Sequence, residues 1–159
     1  MKVLRLFGIA ILAGLALAGP ASAEEQTLKF KVVMTKTGGE TMDVSGLKGR
    51  ALGAEKYAGF AVFDDGRLAY KTVVLMLDSS GDTASYTGLS TYNFKTGDAL
   101  VVKFVGKLTP DSSGGDYEVV AGTGAYEGAT GTGRFDAVEN PWKDADMFEG
   151  TISVKLAGR

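Results

Sequence analysis

The side chains able to do chemistry in this chain are phenols and carboxylates, because its 159 residues include no His and no Cys. That absence removes a Ser-His-Asp triad, a thiol nucleophile, the usual zinc ligand sets and an imidazole switch. A disulfide framework and lipidation through a thiol go with them. No metal and no cofactor is expected. Asp64-Asp65-Gly66 and the DSSGGD run at 111–116 invite comparison with calcium loops. Neither carries the full oxygen ladder with a terminal Glu, so both read as turns. No two carboxylates stand at a spacing that argues for glycosidase chemistry, which depends on separation in space. Arg134 and Asp136 alternate with Phe135 and read as an outer surface pair, while Glu55, Glu118 and Glu149 read as rim or surface. What remains is a set of ring-bearing and acidic positions: Tyr70, Tyr86, Tyr92, Tyr117, Phe104 and Asp78. Phenols in apolar surroundings orient a ligand by hydrogen bonds or pass a proton.

These residues must be held by strands, since alternation dominates the chain and is punctuated by Gly and Asp. Leu28 to Met34 is the first clear strand, with Lys29 and Lys31 on its polar face. Thr35 to Lys56 is rich in Gly and charge and reads as a long connection with at most a short strand near Met42 to Val44. Tyr57 to Phe63 and Arg67 to Leu77 flank Asp64-Asp65-Gly66, a hairpin signal because Gly accepts positive φ. Thr83 to Phe94, Ala99 to Leu108, Tyr117 to Ala121, Gly131 to Val138 and Phe148 to Leu156 follow. Trp142, after Asn140-Pro141, belongs to the last loop, and local packing is expected of it. Short strands at near-regular spacing, with no βαβ alternation, predict an all-β fold, an eight-stranded antiparallel β-barrel. An interior of that size holds side chains or one small ligand.

The apolar face of each strand must point inward in a soluble barrel. That rule sends Leu28, Phe30, Val32, Leu100, Val102, Phe104, Ile152 and Val154 inside. Applied to Arg67 to Leu77, it also sends Leu68, Tyr70, Thr72, Val74 and Met76 inside, with Asp78 continuing that face to one mouth. Tyr86, Tyr92, Phe94, Tyr117, Val119 and Phe135 complete the inward set. Val73, Leu75 and Leu77, with Val101 and Val105, then form an outer apolar patch from which self-association is expected. Two readings of the interior stay open: a filled core whose phenols bond to backbone, or a cavity whose phenols orient a ligand.

One segment carries a family likeness. Gly122-Thr123-Gly124-Ala125-Tyr126-Glu127-Gly128-Ala129-Thr130-Gly131 resembles the glycine turn of dirigent and allene oxide cyclase-like barrels, and of small bacterial barrels of the calycin group. Tyr86-Thr87-Gly88 and the final strand pair agree with it. The resemblance implies an eight-stranded barrel, commonly trimeric, with a largely apolar cavity. In plants such barrels steer or catalyse cyclisation of reactive apolar intermediates. From the residues alone the turn is structural, its glycines supplying the bends while Tyr126 and Ala129 pack one helical turn against the barrel end. A phosphate cradle is excluded by context, since no Lys-Ser/Thr follows and no βαβ unit surrounds it.

Residues 1–23 read as a secretory signal peptide: Lys2 and Arg5, an apolar run from Leu6 to Ala18, then Ala21-Ser22-Ala23. The run is shorter than the roughly 20 residues a membrane helix needs. The mature domain is then 24–159, periplasmic or secreted. With 17 basic and 19 acidic residues, bulk charge offers nothing to nucleic acid. Stable membrane insertion is not expected either, because Lys29, Lys31, Lys103 and Lys107 would meet lipid on the face of an outer-membrane barrel. The leading expectation is an exported barrel binding a small apolar or aromatic molecule. Its rivals are a cofactor-free cyclase or isomerase of the allene oxide cyclase or dirigent type, and a non-catalytic structural barrel of the cell envelope.

Overall fold

Residues that alternate along one chain become the two surfaces of a closed wall in the computed structural model, which describes residues 24–158. The signal segment expected at 1–23 lies outside the described residues. Eight strands follow one another: β1 (Glu25–Asp43), β2 (Arg50–Phe63), β3 (Leu68–Ser80), β4 (Thr83–Phe94), β5 (Ala99–Thr109), β6 (Ser112–Thr123), β7 (Thr130–Ala137) and β8 (Asp146–Lys155). Each pairs antiparallel with the next, and β8 returns to β1, closing the barrel. A single 3-10 turn, Gly124–Tyr126, interrupts the strand pattern between β6 and β7. Closure removes the sheet edge around the barrel wall, while stretches that run past it, such as β1 beyond Met34, pair on one side alone.

Two stretches expected as loops are strand. Thr35 to Lys56 is the far half of the β1–β2 hairpin, paired from Gly38 opposite Lys56 to Asp43 opposite Ala51. It overhangs the barrel and is almost wholly exposed on both faces. Alternation marks a half-buried strand, so a strand held by backbone bonds alone, with water on both sides, carries no such mark. The DSSGGD run likewise turns only at Pro110-Asp111, and Ser112 already pairs with Thr109.

Inside, large side chains face glycines across the wall. Gly59 stands opposite Lys71, Gly88 opposite Phe104, Gly115 opposite Phe135 and Gly133 opposite Tyr117. A Cβ at any of these four glycines would run into a carbonyl oxygen of the adjoining strand, that of Val33, Val74, Val105 or Thr151 respectively. Curling an eight-stranded sheet shut crowds its inner surface, and glycine relieves that crowding where a large neighbour takes the space. Gly88→Ala and Gly133→Ala are each expected to lower unfolding free energy by about 1–3 kcal/mol, read from denaturant midpoints. Gly38→Ala, in the overhang with nothing within 4 Å of its Cβ position, should leave the midpoint nearly unchanged.

Candidate functional site

The polar centre of the lumen is set by the register of one hairpin. β3 and β4 join through Gly81-Asp82, with Ser80 opposite Thr83, and counting back from that turn puts Lys71 opposite Tyr92. Directly opposed residues share a face. Tyr92 is fully buried in the lumen, so Lys71 is carried in beside it and is only 2% exposed. This overturns the expected parity of β3. Ala69, Lys71, Val73, Leu75 and Leu77 point inward, while Leu68, Tyr70, Val74 and Met76 are exposed on the outer face, Tyr70 at 45%.

One half of the barrel is filled. Phe30 packs on Phe63 and Tyr92, and Phe63 on Phe94, with centroids 5.2–5.5 Å apart for Phe30–Phe63, Phe30–Tyr92 and Phe63–Phe94. The glycine turn seals that end. Tyr126 is buried and stacks on Phe94 at 5.2 Å, and Arg67 donates from Nη1 to its hydroxyl at 2.7 Å. The Arg67 guanidinium also lies over Phe63 and Phe94, a cation–π closure of the plug. Gly124 (φ +59°) turns the chain in a conformation that other residues rarely adopt. The structural reading of this turn, with Tyr126 and Ala129 packed against the barrel end, holds.

The other half is hollow. A cavity of about 690 Å³ opens at the far mouth, with Val73, Leu75, Phe104, Phe135 and Phe148 on its walls and Lys71, Ser90 and Tyr117 among its deepest groups. Lys71 Nζ donates to the Tyr117 hydroxyl at 3.0 Å, and Tyr92 donates to the same oxygen at 3.4 Å. The rings of Tyr92, Tyr117 and Phe30 surround Nζ at 4.9, 5.4 and 5.7 Å. At the rim, Glu55 accepts from Lys36 and from the Tyr57 hydroxyl, and Asp146 lies near it. A larger hollow, about 860 Å³, lies outside the barrel around Met76, Asp78, Lys107 and Asp116. Its charged groups spread over a solvated surface rather than converging.

Burial sets the protonation states. Desolvation lowers the Lys71 ammonium to about 7, and no carboxylate offsets it. Burial raises the phenols of Tyr92 and Tyr117 above their ordinary value, so both stay neutral. At the rim, burial pushes Glu55 up, but the bonds from Lys36 and Tyr57 outweigh it and leave it below its ordinary value. Burial, then the neighbouring Glu55, raises Asp146. The lumen thus offers an amine close to neutrality beside a phenol, behind an acidic rim.

Of the residues singled out from sequence, Tyr86, Phe104 and Tyr117 line the cavity, and Tyr92 lies beneath its floor. Tyr86 reaches Ser113 Oγ at 2.9 Å. Tyr70 and Asp78 do not belong to the lumen. Tyr70 packs on Phe60 outside, and Asp78 is held by Arg50 through two hydrogen bonds on the outer face. Both faces of β3 are apolar, so composition favoured the face with fewer charges; the Gly81-Asp82 turn carried the correcting signal. Glu55 is a rim residue, and Trp142 is exposed rather than packed. Lys71 was the residue missed.

The sequence matches no protein-family model and no curated protein. Among solved structures, the chain is similar to the pterocarpan synthase dirigent protein GePTS1, at 15% identity and TM-score 0.58, covering 91% of this chain and 98% of that one. It is similar to the pterocarpan synthase dirigent protein PsPTS1, at 15% identity and TM-score 0.54, over 84% and 96% of the two chains. A protein of unknown function from the DUF3224 family of Shewanella oneidensis MR-1 shares 19% identity and TM-score 0.50, over 86% and 99%. At such identities the likeness is one of fold, and the class it defines is a dirigent-like barrel. The allene oxide cyclase and calycin part of the likeness rests on the sequence resemblance alone.

The amine gives stability a pH dependence. Unfolded Lys71 keeps its proton up to about 10.5, whereas the folded protein releases it near 7. Between those values the unfolded state binds more protons, so stability rises with pH. Above about 10, ionisation of the unfolded tyrosines reverses the slope, because Tyr92 and Tyr117 resist ionisation when folded. Denaturant midpoints should climb from pH 7 to 10, and Lys71→Met should flatten that climb while stabilising the protein at pH 6 by roughly 2–4 kcal/mol.

Proposed function

We propose that the protein is an exported barrel that takes a small, uncharged, apolar or aromatic molecule into its half-open lumen. The observation that carries this is the cavity of about 690 Å³, apolar on its walls and closed beneath by Lys71 and Tyr117. A hollow of that size, with a few converging polar groups, is the usual form of a small-molecule site. The acidic rim around Glu55 and Asp146 disfavours anions, and the aromatic floor favours a ring or conjugated chain. A filled structural barrel would have no use for this hollow or for a buried amine, which costs free energy wherever it is not employed.

A second reading, cofactor-free cyclisation of the dirigent type, is favoured by the barrel fold shared with two pterocarpan synthase dirigent proteins. It uses the same cavity and differs in requiring turnover. Self-association belongs to the proposal too, on a face other than the one expected. Phe60, Tyr70, Val74, Met76 and Leu89 are exposed on adjoining strands β2, β3 and β4, and the occupant we assign is a second copy of the chain. The trimer number comes from the family resemblance.

Titration with 1-anilinonaphthalene-8-sulfonate would be a poor test because that probe is anionic; the neutral dye Nile red suits the lumen. Nile red should bind with its emission shifted to the blue, and Leu75→Trp, which fills the cavity, should weaken binding at least about tenfold with the strand signal in circular dichroism retained. A parent protein that leaves Nile red unshifted overturns the proposal. Light scattering of the mature chain at tens of micromolar should give more than a monomer mass, reduced by Met76→Lys; a monomer throughout would remove the assembly.

A further inference from the structure

We propose that Lys71 is a covalent attachment site: its amine condenses with a small apolar aldehyde or ketone held in the lumen, forming an imine. The inference rests on the proposed small-molecule cavity and names the chemical class of its occupant.

The geometry supplies what the reaction requires. Nζ of Lys71 sits on a residue only 2% exposed, at the lining of a cavity with a path to one mouth only, since Tyr126 and Arg67 close the other. Its hydrogen-bond partner is a hydroxyl, that of Tyr117, and not a carboxylate. The nearest surroundings are the faces of Tyr92, Tyr117 and Phe30. The charged and titratable groups elsewhere on the cavity wall are Tyr86, Glu55, Tyr57, Asp111, Asp136, Glu139 and Asp146; Glu55 is already held by Lys36 and Tyr57, and Tyr86 reaches Ser113. A carboxylate partner would fix Lys71 as an ammonium, which is no nucleophile. Burial without one keeps a free electron pair at near-neutral pH. Lys71 is the one lysine on the cavity lining, and its amine meets the hollow beside the Tyr117 hydroxyl.

The step balances without an oxidant or reductant. The nitrogen lone pair of neutral Lys71 attacks the carbonyl carbon, a C–N bond forms, and the carbonyl π pair moves to oxygen. The Tyr117 hydroxyl, 3.0 Å from Nζ, is placed to protonate that oxygen and to take back a proton from nitrogen. The carbinolamine then loses its hydroxyl as water, which leaves by the open mouth, and a C=N bond remains. One amine and one carbonyl give one imine and one water, and excess water reverses the reaction. Tyr117 acts here as a positioning and proton-passing residue, Lys71 as the nucleophile.

The test uses the mature chain, 2-naphthaldehyde as the carbonyl probe and 2-methylnaphthalene as its carbonyl-free counterpart. After incubation at pH 7.5 the imine is trapped with sodium cyanoborohydride and located by peptide mass mapping. Lys71 should be modified at least about tenfold faster than any surface lysine, because burial without a carboxylate partner leaves its electron pair free at this pH. The rate at Lys71 should rise through pH 7 and level off. Lys71→Met should abolish the fast adduct, and Tyr117→Phe should slow trapping. Adducts spread over surface lysines, with 2-methylnaphthalene still displacing Nile red, overturn the imine and leave the cavity proposal standing. Failure of both probes to displace Nile red overturns the imine and the small-molecule reading together. The mapping on the parent protein decides the matter even where a variant fails to fold.

Discussion

Eight strands closed edge to edge leave an interior whose width is set by strand number, and everything else in this protein adjusts to that width. The pairing of β8 with β1 from Glu25 to Met34 closes the wall, so the sheet there needs no helix or loop to cover an edge. The interior that results is too narrow for large side chains on every strand at once. Gly59, Gly88, Gly115 and Gly133 each stand opposite Lys71, Phe104, Phe135 or Tyr117 for this reason, and the rings that they admit decide where space is filled and where it is left.

The barrel divides into two halves with different chemistry. Around Phe30, Phe63, Phe94 and Tyr92 the rings meet edge to face or tilted, and Tyr126 with Arg67 closes the end. This half provides rigidity. Beyond Lys71 the walls stand apart and the hollow begins. The boundary between the halves is the one place where an amine, two phenols and an apolar cavity meet, so any chemistry of the lumen has to be organised there. The long overhang of β1 and β2 beyond the rim, held by backbone pairing, places Lys36 and Glu55 together at the mouth.

Electrostatics follows from burial more than from charge count. A net charge of -2 says nothing about the lumen, yet burial alone brings Lys71 to about 7 and keeps Tyr92 and Tyr117 protonated. The same residues on the outer face would be an ordinary ammonium and ordinary phenols. Their reactivity is a property of the place, and the place is made by strand register.

The sequence by itself determined the all-β class, the eight strands and much of the core: alternation along Leu28–Met34, Ala99–Leu108 and Phe148–Leu156 points one face inward wherever only one face is apolar. The glycine turn was legible for the same local reason, since closely spaced glycines around Tyr126 admit few conformations. The overhang was not legible, because a strand wet on both faces leaves no periodic trace. Nor was the site. On β3 both faces are apolar, and Lys71 reads as surface when the strand is considered alone. Tertiary structure decided otherwise through its neighbour. Once Tyr92 is inside and Gly81-Asp82 fixes the register, Lys71 must follow, although its own charge opposes burial. Alternation is a property of one strand, whereas the choice of inner face is made by all the strands that pair with it.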